Sequence, residues 1–208
     1  MPMQSFSQHG QDVFVYETFF KNDPAKGYFV DIGAYDGVTF SNSLFFERHL
    51  GWAGICVEPL PAAFQKLRES RRALCLNCAV ADRDGIGEFV DVDMPDYGKM
   101  YSGLRAEYDP RHVDVLRSYA LGAKVINVPM RRLADILDEN GVRKVDYMSI
   151  DTEGGERKIL QSIDLKSYDV RVISVENAYK DPVIPDYLRG FGYRLVNVFA
   201  DFDDLYAR

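Results

Sequence analysis

Two acids and two glycines near the start of the sequence have the types and spacing of a cofactor site: Asp31-Ile-Gly33-Ala-Tyr35-Asp36-Gly37, with Glu58 further along the chain. Gly33 removes a side chain where the backbone must turn and approach a ligand, and Gly37 lets the loop pass close to the following helix. The spacing is GxxxG, not the dinucleotide pattern GxGxxG, and an acid stands two residues before the first glycine. A carboxylate there repels a pyrophosphate but accepts hydrogen bonds from an ammonium. Asp31, Gly33, Asp36 and Gly37 therefore point to a cofactor with an amino-acid end. Glu58 closes the apolar run Gly54-Ile-Cys56-Val57 and is placed to accept from a ribose diol. Ala79, in the run Asn77-Cys78-Ala79-Val80, falls where an adenine edge would lie.

A second group of acids follows the fourth and fifth apolar runs: Asp151, Glu153 and Glu156, then Glu176-Asn177. Asp151, Glu176 and Asn177 make an all-oxygen set suited to a hard cation such as Mg2+, which would lower the pKa of a bound hydroxyl. Without a metal, Glu153 and Glu156 favour the positive N-terminus of the following helix and Glu176 contacts the substrate directly. Asp151 is the first candidate for a proton acceptor and Glu153 the second. His9 and His112 titrate near neutrality, although lone histidines are more often surface or structural residues. Tyr97, Tyr101, Arg105 and Tyr108 suit the lining of a polyol site, since aromatic faces and forked donors match sugars.

These residues need a scaffold that brings strand ends together. Short runs rich in Val, Ile and Tyr recur at 28–32, 54–57, 74–80, 145–150 and 170–175, and read as strands buried on both faces. Helical patterns lie between them at 11–20, 41–48, 61–71, 132–138, 156–162 and 185–189. The alternation predicts an α/β, doubly wound, Rossmann-like sheet, mostly parallel. Two further strands, 193–199 and 205–207, predict an antiparallel edge hairpin whose acids at Asp201, Asp203 and Asp204 guard the edge. Residues 85–130 interrupt the alternation with strand-like stretches at 87–92 and 124–128. Such an insertion suggests a substrate-side lid within one domain spanning 1–208.

The loop 31–37, the segment Asp151-Thr-Glu153-Gly154-Gly-Glu156 and the stretch Ala79-Val-Ala-Asp82-Arg-Asp-Gly85 resemble the FkbM family of S-adenosylmethionine-dependent methyltransferases. Ser7-Gln8-His-Gly10-Gln11-Asp12 and Ser41-Asn42-Ser43 with Gly51-Trp52 extend the resemblance over most of the chain. It implies a class I methyltransferase fold, with Asp31, Gly33 and Glu58 on the cofactor. It further implies O-methylation of a sugar, macrolide or other secondary metabolite. Two positions depart from the pattern. Tyr35 stands where a third glycine is common, and Ser149 where the family usually has lysine.

Composition narrows the partners. A formal net charge of -7 disfavours nucleic acid, which draws on clusters of Lys and Arg, and leaves a small-molecule or glycan acceptor. The three cysteines, Cys56, Cys75 and Cys78, sit in apolar runs and read as reduced structural thiols, consistent with a cytoplasmic protein. No run is long and apolar enough to span a bilayer. A nucleotide-dependent oxidoreductase shares the fold but should show GxGxxG. A non-catalytic cofactor binder would dispense with the acids of the fourth and fifth strands.

Overall fold

The computed structural model describes residues 3–23, 25–96 and 98–208. Five strands form the parallel part of one sheet: β1 (Tyr28–Ile32), β2 (Ala53–Val57), β3 (Leu74–Leu76), β8 (Lys144–Ile150) and β9 (Asp169–Glu176). With β10 (Arg194–Phe199) and β11 (Asp203–Ala207), the order across the sheet is β10-β11-β9-β8-β1-β2-β3. The chain winds outward in one direction from β1 and in the other from β8. A crevice therefore opens at the C-terminal ends of these two adjacent strands, as in other doubly wound sheets.

Alternation along each strand divides the core between the two faces. Val30 and Ile32 of β1 join Ile55, Val57, Met148 and Ile150 under α5 (Leu133–Glu139), α6 (Glu156–Ser162) and α7 (Val183–Gly190). Phe29 points to the other face, with Cys56, Tyr147 and Val172. That face is covered by α1 (Gln11–Val15) with its π-helical continuation Tyr16–Phe20, by α2 (Leu44–Leu50) and by α3 (Pro61–Ser70). Each large apolar side chain so buried contributes roughly 1.5–3 kcal/mol. Ser41 assists α2 from outside it, its hydroxyl accepting from Leu44 N–H at 3.1 Å. Cys56 and Cys78 are buried and free, and Cys75 is half-buried and free. Among the described residues no helix is long and apolar enough to cross a membrane.

Three sequence expectations change. The run 74–80 is not one strand. It breaks at Asn77, whose amide donates to the Glu58 and Pro59 carbonyls at 2.8 and 3.0 Å. Beyond the break, β4 (Ala79–Ala81) leaves the main sheet and pairs with β7 (Gly122–Arg132). With β5 (Gly85–Asp93) and β6 (Gly103–Leu104) these form a four-stranded sheet, β4-β7-β5-β6. The insertion also carries a helix, α4 (Pro110–Tyr119), absent from the sequence reading. Its start signals are present: Asp109 accepts from Arg111 N–H as N-cap, and proline follows. Finally, the C-terminal hairpin forms, but β11 lies inside the sheet, antiparallel to both β9 and β10. Asp203 and Asp204 are consequently buried, and β10 is the edge.

Candidate active site

The crevice beside β1, β2 and β8 is partly open to solvent. Gly33, Tyr35, Glu58, Ala79 and Asp151 line it, with apolar walls from Leu60, Val80, Phe89 and Leu104. Gly33 is required here. Its φ is 87°, and a Cβ would stand 1.7 Å from the Asp151 carbonyl oxygen. The same turn lets the Gly33 and Ala34 N–H groups both donate to the Val57 carbonyl at 3.0 Å.

Glu58 is buried with both oxygens already aimed. Tyr35 N–H donates to one at 2.9 Å and Leu60 N–H to the other at 2.8 Å. Burial pushes its pKa up to about 7, against the pull of these two donors. Each oxygen keeps a lone pair for a ligand hydroxyl. Tyr35, in place of a glycine, nevertheless adopts the left-handed backbone, with φ 49°.

The other expected cofactor residues shape the loop instead of lining the cleft. Asp31 follows Phe29 to the opposite face of β1, where Ser43 Oγ donates to it at 2.5 Å. Burial raises its pKa, opposed by the nearby Arg71 guanidinium. Arg71, fully buried, donates in turn to Ser43 Oγ, Ser41 Oγ, Glu47 and the Gly37 carbonyl. Asp36 holds the turn by accepting from Val38 N–H, Thr39 N–H and Thr39 Oγ1 at 2.9, 2.7 and 2.8 Å. Gly37, with φ 79°, permits α3 to pack so close that a Cβ would lie 2.7 Å from Leu67, Ser70 and Arg71 atoms.

Past the strand ends, Asp151, Glu153 and Glu176 each bring a carboxylate oxygen within 4.8 Å of the others. Burial first, then repulsion from neighbouring acids, holds all three well above the ordinary carboxylate range; for Asp151 those neighbours are Asp203, Glu156 and Asp31, and a hydrogen bond with Glu176 opposes them. Glu156 stands apart as a cap, accepting from Thr152 N–H and Oγ1 at 2.7 and 2.8 Å. Of the cation set expected from the sequence, Asp151 and Glu176 come together, with Glu153 as a third oxygen donor, but Asn177 is committed elsewhere. Asn177 donates to Asp204 at 2.7 Å and accepts from Asp181 N–H at 2.7 Å, so its amide is spent away from Asp151 and Glu176. Glu153, which joins the cluster in its stead, is drawn toward a histidine. No step is therefore derived through a metal.

A second cleft adjoins the first and shares Glu107 and Glu153 with it. Its walls come from the start of α4, the loop before α6 and the segment after β9, including Tyr108, His112, Glu176 and Tyr179. His112 is 3% exposed, with Nδ1 3.3 Å from Glu153 Oε2 and Nε2 3.4 Å from the Tyr101 carbonyl. Tyr108 stacks on its ring at 4.5 Å and 14°. Burial lowers its pKa. Glu153 itself has φ 62°, an uncommon backbone for a non-glycine residue and one found disproportionately at functional sites.

The rim cations of this cleft are committed locally: Arg111 to Asp109 at 2.7 Å, Arg157 to Asp181 at 3.3 Å and Lys158 to Glu107 at 2.8 Å. Of the insertion residues suggested for a polyol, Tyr108 lines this cleft, while Arg105 pairs with Glu88 outside it. Tyr101 contributes its carbonyl to Tyr108 and His112, and Tyr97 lies outside the described residues. His9 is exposed. Ser149 is buried on the α2 side, accepting from Asn42 at 3.1 Å, and is not among the residues of either cleft.

Comparison with known proteins gives a consistent picture. A family model described as the methyltransferase FkbM domain matches residues 31–195. The 31-O-demethyl-FK506 methyltransferase FkbM of Streptomyces tacrolimicus is 25% identical over 205 residues, covering 85% of this chain and 75% of its own. Among solved structures, methyltransferase FkbM from Methylobacillus flagellatus KT superposes with a TM-score of 0.52 at 15% identity over 93% of this chain. This chain spans only 48% of that one. The N-terminal domain of human METTL16 in complex with SAH gives 0.51 at 12% identity, covering 100% of this chain and 71% of its own. These structural likenesses show the shared Rossmann-like fold.

Proposed function

Because this chain belongs to the methyltransferase FkbM domain family, we propose that it is an S-adenosylmethionine-dependent methyltransferase acting on a hydroxyl of a sugar or small natural product. The observation that carries the reading is the pinned carboxylate of Glu58 in a cleft that shares Glu153 with a second cleft. In this reading, Glu58 accepts from the ribose hydroxyls, the bare backbone at Gly33 admits the amino-acid end, and Ala79, Leu60 and Phe89 enclose the base. The hydroxyl acceptor is supported by the relative's name, which specifies transfer to an oxygen of a natural product. Three free thiols suit a reducing compartment, so the reading includes a cytoplasmic location.

When bound, S-adenosylmethionine supplies a methyl group activated on a positively charged sulfur. The chain's own task is then positioning, because bringing reacting atoms to about 3–3.5 Å in a dry site removes much of the barrier. Asp151 lines the cofactor cleft, and a positively charged group bound there would favour ionisation of the neighbouring acids. Glu153, which lines both clefts, would take the acceptor's hydroxyl proton when the methyl group is supplied. Asp151 is the alternative acceptor of that proton.

The test is turnover with methyl-labelled S-adenosylmethionine against a panel of monosaccharides and hydroxylated natural products. Label on an acceptor oxygen, with one S-adenosylhomocysteine formed per methyl transferred, supports the reading. Cofactor binding without transfer to any acceptor supports a binding protein instead.

A further inference from the structure

The residue that joins the insertion to the rest of the site is His112, and its surroundings fix which way its ring acts. Nε2 faces the Tyr101 carbonyl oxygen at 3.4 Å. Two lone pairs facing one another repel, so Nε2 carries a hydrogen in either charge state of the ring. That leaves Nδ1 for Glu153 Oε2, 3.3 Å away. At this distance a protonated carboxyl is placed to donate to Nδ1, and an ionised one to accept from Nδ1–H. The same oxygen is held either way. The other, Oε1, remains for the acceptor.

Packing makes this arrangement stiff. Tyr108 lies flat against the imidazole at 4.5 Å, and Tyr179 meets it edge-on at 6.5 Å. The neighbouring loop admits no side chain: a Cβ on Gly154 would stand 2.4 Å from the Glu107 carbonyl, and one on Gly103 3.2 Å from Glu153 Cβ. A carboxyl at the end of an unusual left-handed backbone, in repulsive company, needs such a support to keep one rotamer.

We propose that His112 is a positioning residue, which holds the Glu153 carboxyl by Oε2 at the junction of the two clefts and so makes helix α4 of the insertion part of the reaction centre. This rests on the methyltransferase reading for what Glu153 does, but the pairing itself is tested without an acceptor. The chain has three histidines, so nitrogen NMR of the 15N-histidine-labelled protein resolves His112 once its signals are assigned by loss in His112→Gln. The expected result is a hydrogen on Nε2, and an Nδ1 resonance that shifts in Glu153→Ala and recovers in Glu153→Gln, which keeps a donor. Signals of His9 and His49 should not move. A bare Nε2, or an Nδ1 resonance indifferent to Glu153→Ala, overturns the proposal and leaves His112 a packing residue. S-adenosylhomocysteine titrated into the same wild-type sample separates the two claims: absent binding sinks the cofactor reading while leaving the pair intact.

Discussion

Glu58 is a buried carboxyl and Glu153 a half-buried one beside the same crevice, and they are held in opposite ways. Glu58 is gripped by backbone N–H groups of Tyr35 and Leu60, supplied by the loops that follow β1 and β2. Glu153 is held by a side chain from a distant helix and crowded by Asp151 and Glu176. Backbone donors persist whatever side chains surround them. A side-chain clamp lasts only as long as the insertion supplies it. In the proposed reading the cofactor half is thus built into the sheet, whereas the acceptor half depends on residues 85–130, where a different clamp would suit a different acceptor.

The sharpest way to break this comparison is at the point where both halves meet. Gly33→Ala would place a methyl group 1.7 Å from the Asp151 carbonyl, at a φ of 87°. A loss of about 4 kcal/mol or more in urea unfolding, or failure to fold, is expected. A change below about 1 kcal/mol would mean that the two strand ends are not rigidly joined.

Charge gives a smaller effect with a definite sign. Glu58 is raised to about 7, and Asp151, Glu153 and Glu176 are raised as well, so the folded protein holds protons that the unfolded chain releases. The contribution of Glu58 is complete below the ordinary carboxylate range and is lost as pH rises through about 7, and the three other raised acids act in the same direction. The melting temperature of the free protein should therefore fall between about pH 5.5 and 8, while affinity for S-adenosylhomocysteine rises as Glu58 ionises. Opposite trends are the signature, and parallel ones would contradict the assignment of Glu58.

Glu153→Gln separates the two acids. It keeps a donor for His112 and removes one charge from the cluster, so about 1 kcal/mol of stabilisation is expected at pH 8, fading at pH 5.5. The smallest expected effect is that of a chelator. Since Asn177 is spent on Asp204 and Asp181, EDTA should leave melting temperature and S-adenosylhomocysteine affinity unchanged.

The difference between the halves also explains what could be read in the sequence. Gly33 and Glu58 belong to a strand–loop–helix unit and the strand beside it, so type and spacing already place them at one cleft. Asp31 shows the limit even there: its type fits a ligand, but alternation along β1 sends it with Phe29 to the opposite face. Asn177 is likewise the right residue type, with its amide committed to Asp204 and Asp181. In the sequence His112 stands as a lone histidine, because its neighbour in the fold, Glu153, is distant in the chain. Asp109-Pro110 is the local signal that reveals its helix and would have raised its standing. The C-terminal hairpin was legible as two strands, but its order was not, since insertion of β11 beside β9 is decided by long-range pairing.

The account stands or falls on the cofactor cleft. Calorimetric titration of the purified chain with S-adenosylhomocysteine, alongside Glu58→Ala and Glu153→Ala, tests it most directly. The predicted result is micromolar binding, about -8 kcal/mol, lost by roughly 100-fold in Glu58→Ala through two charge-assisted hydrogen bonds and little changed in Glu153→Ala. Absence of binding to the wild-type chain, or equal affinity in Glu58→Ala, would contradict it.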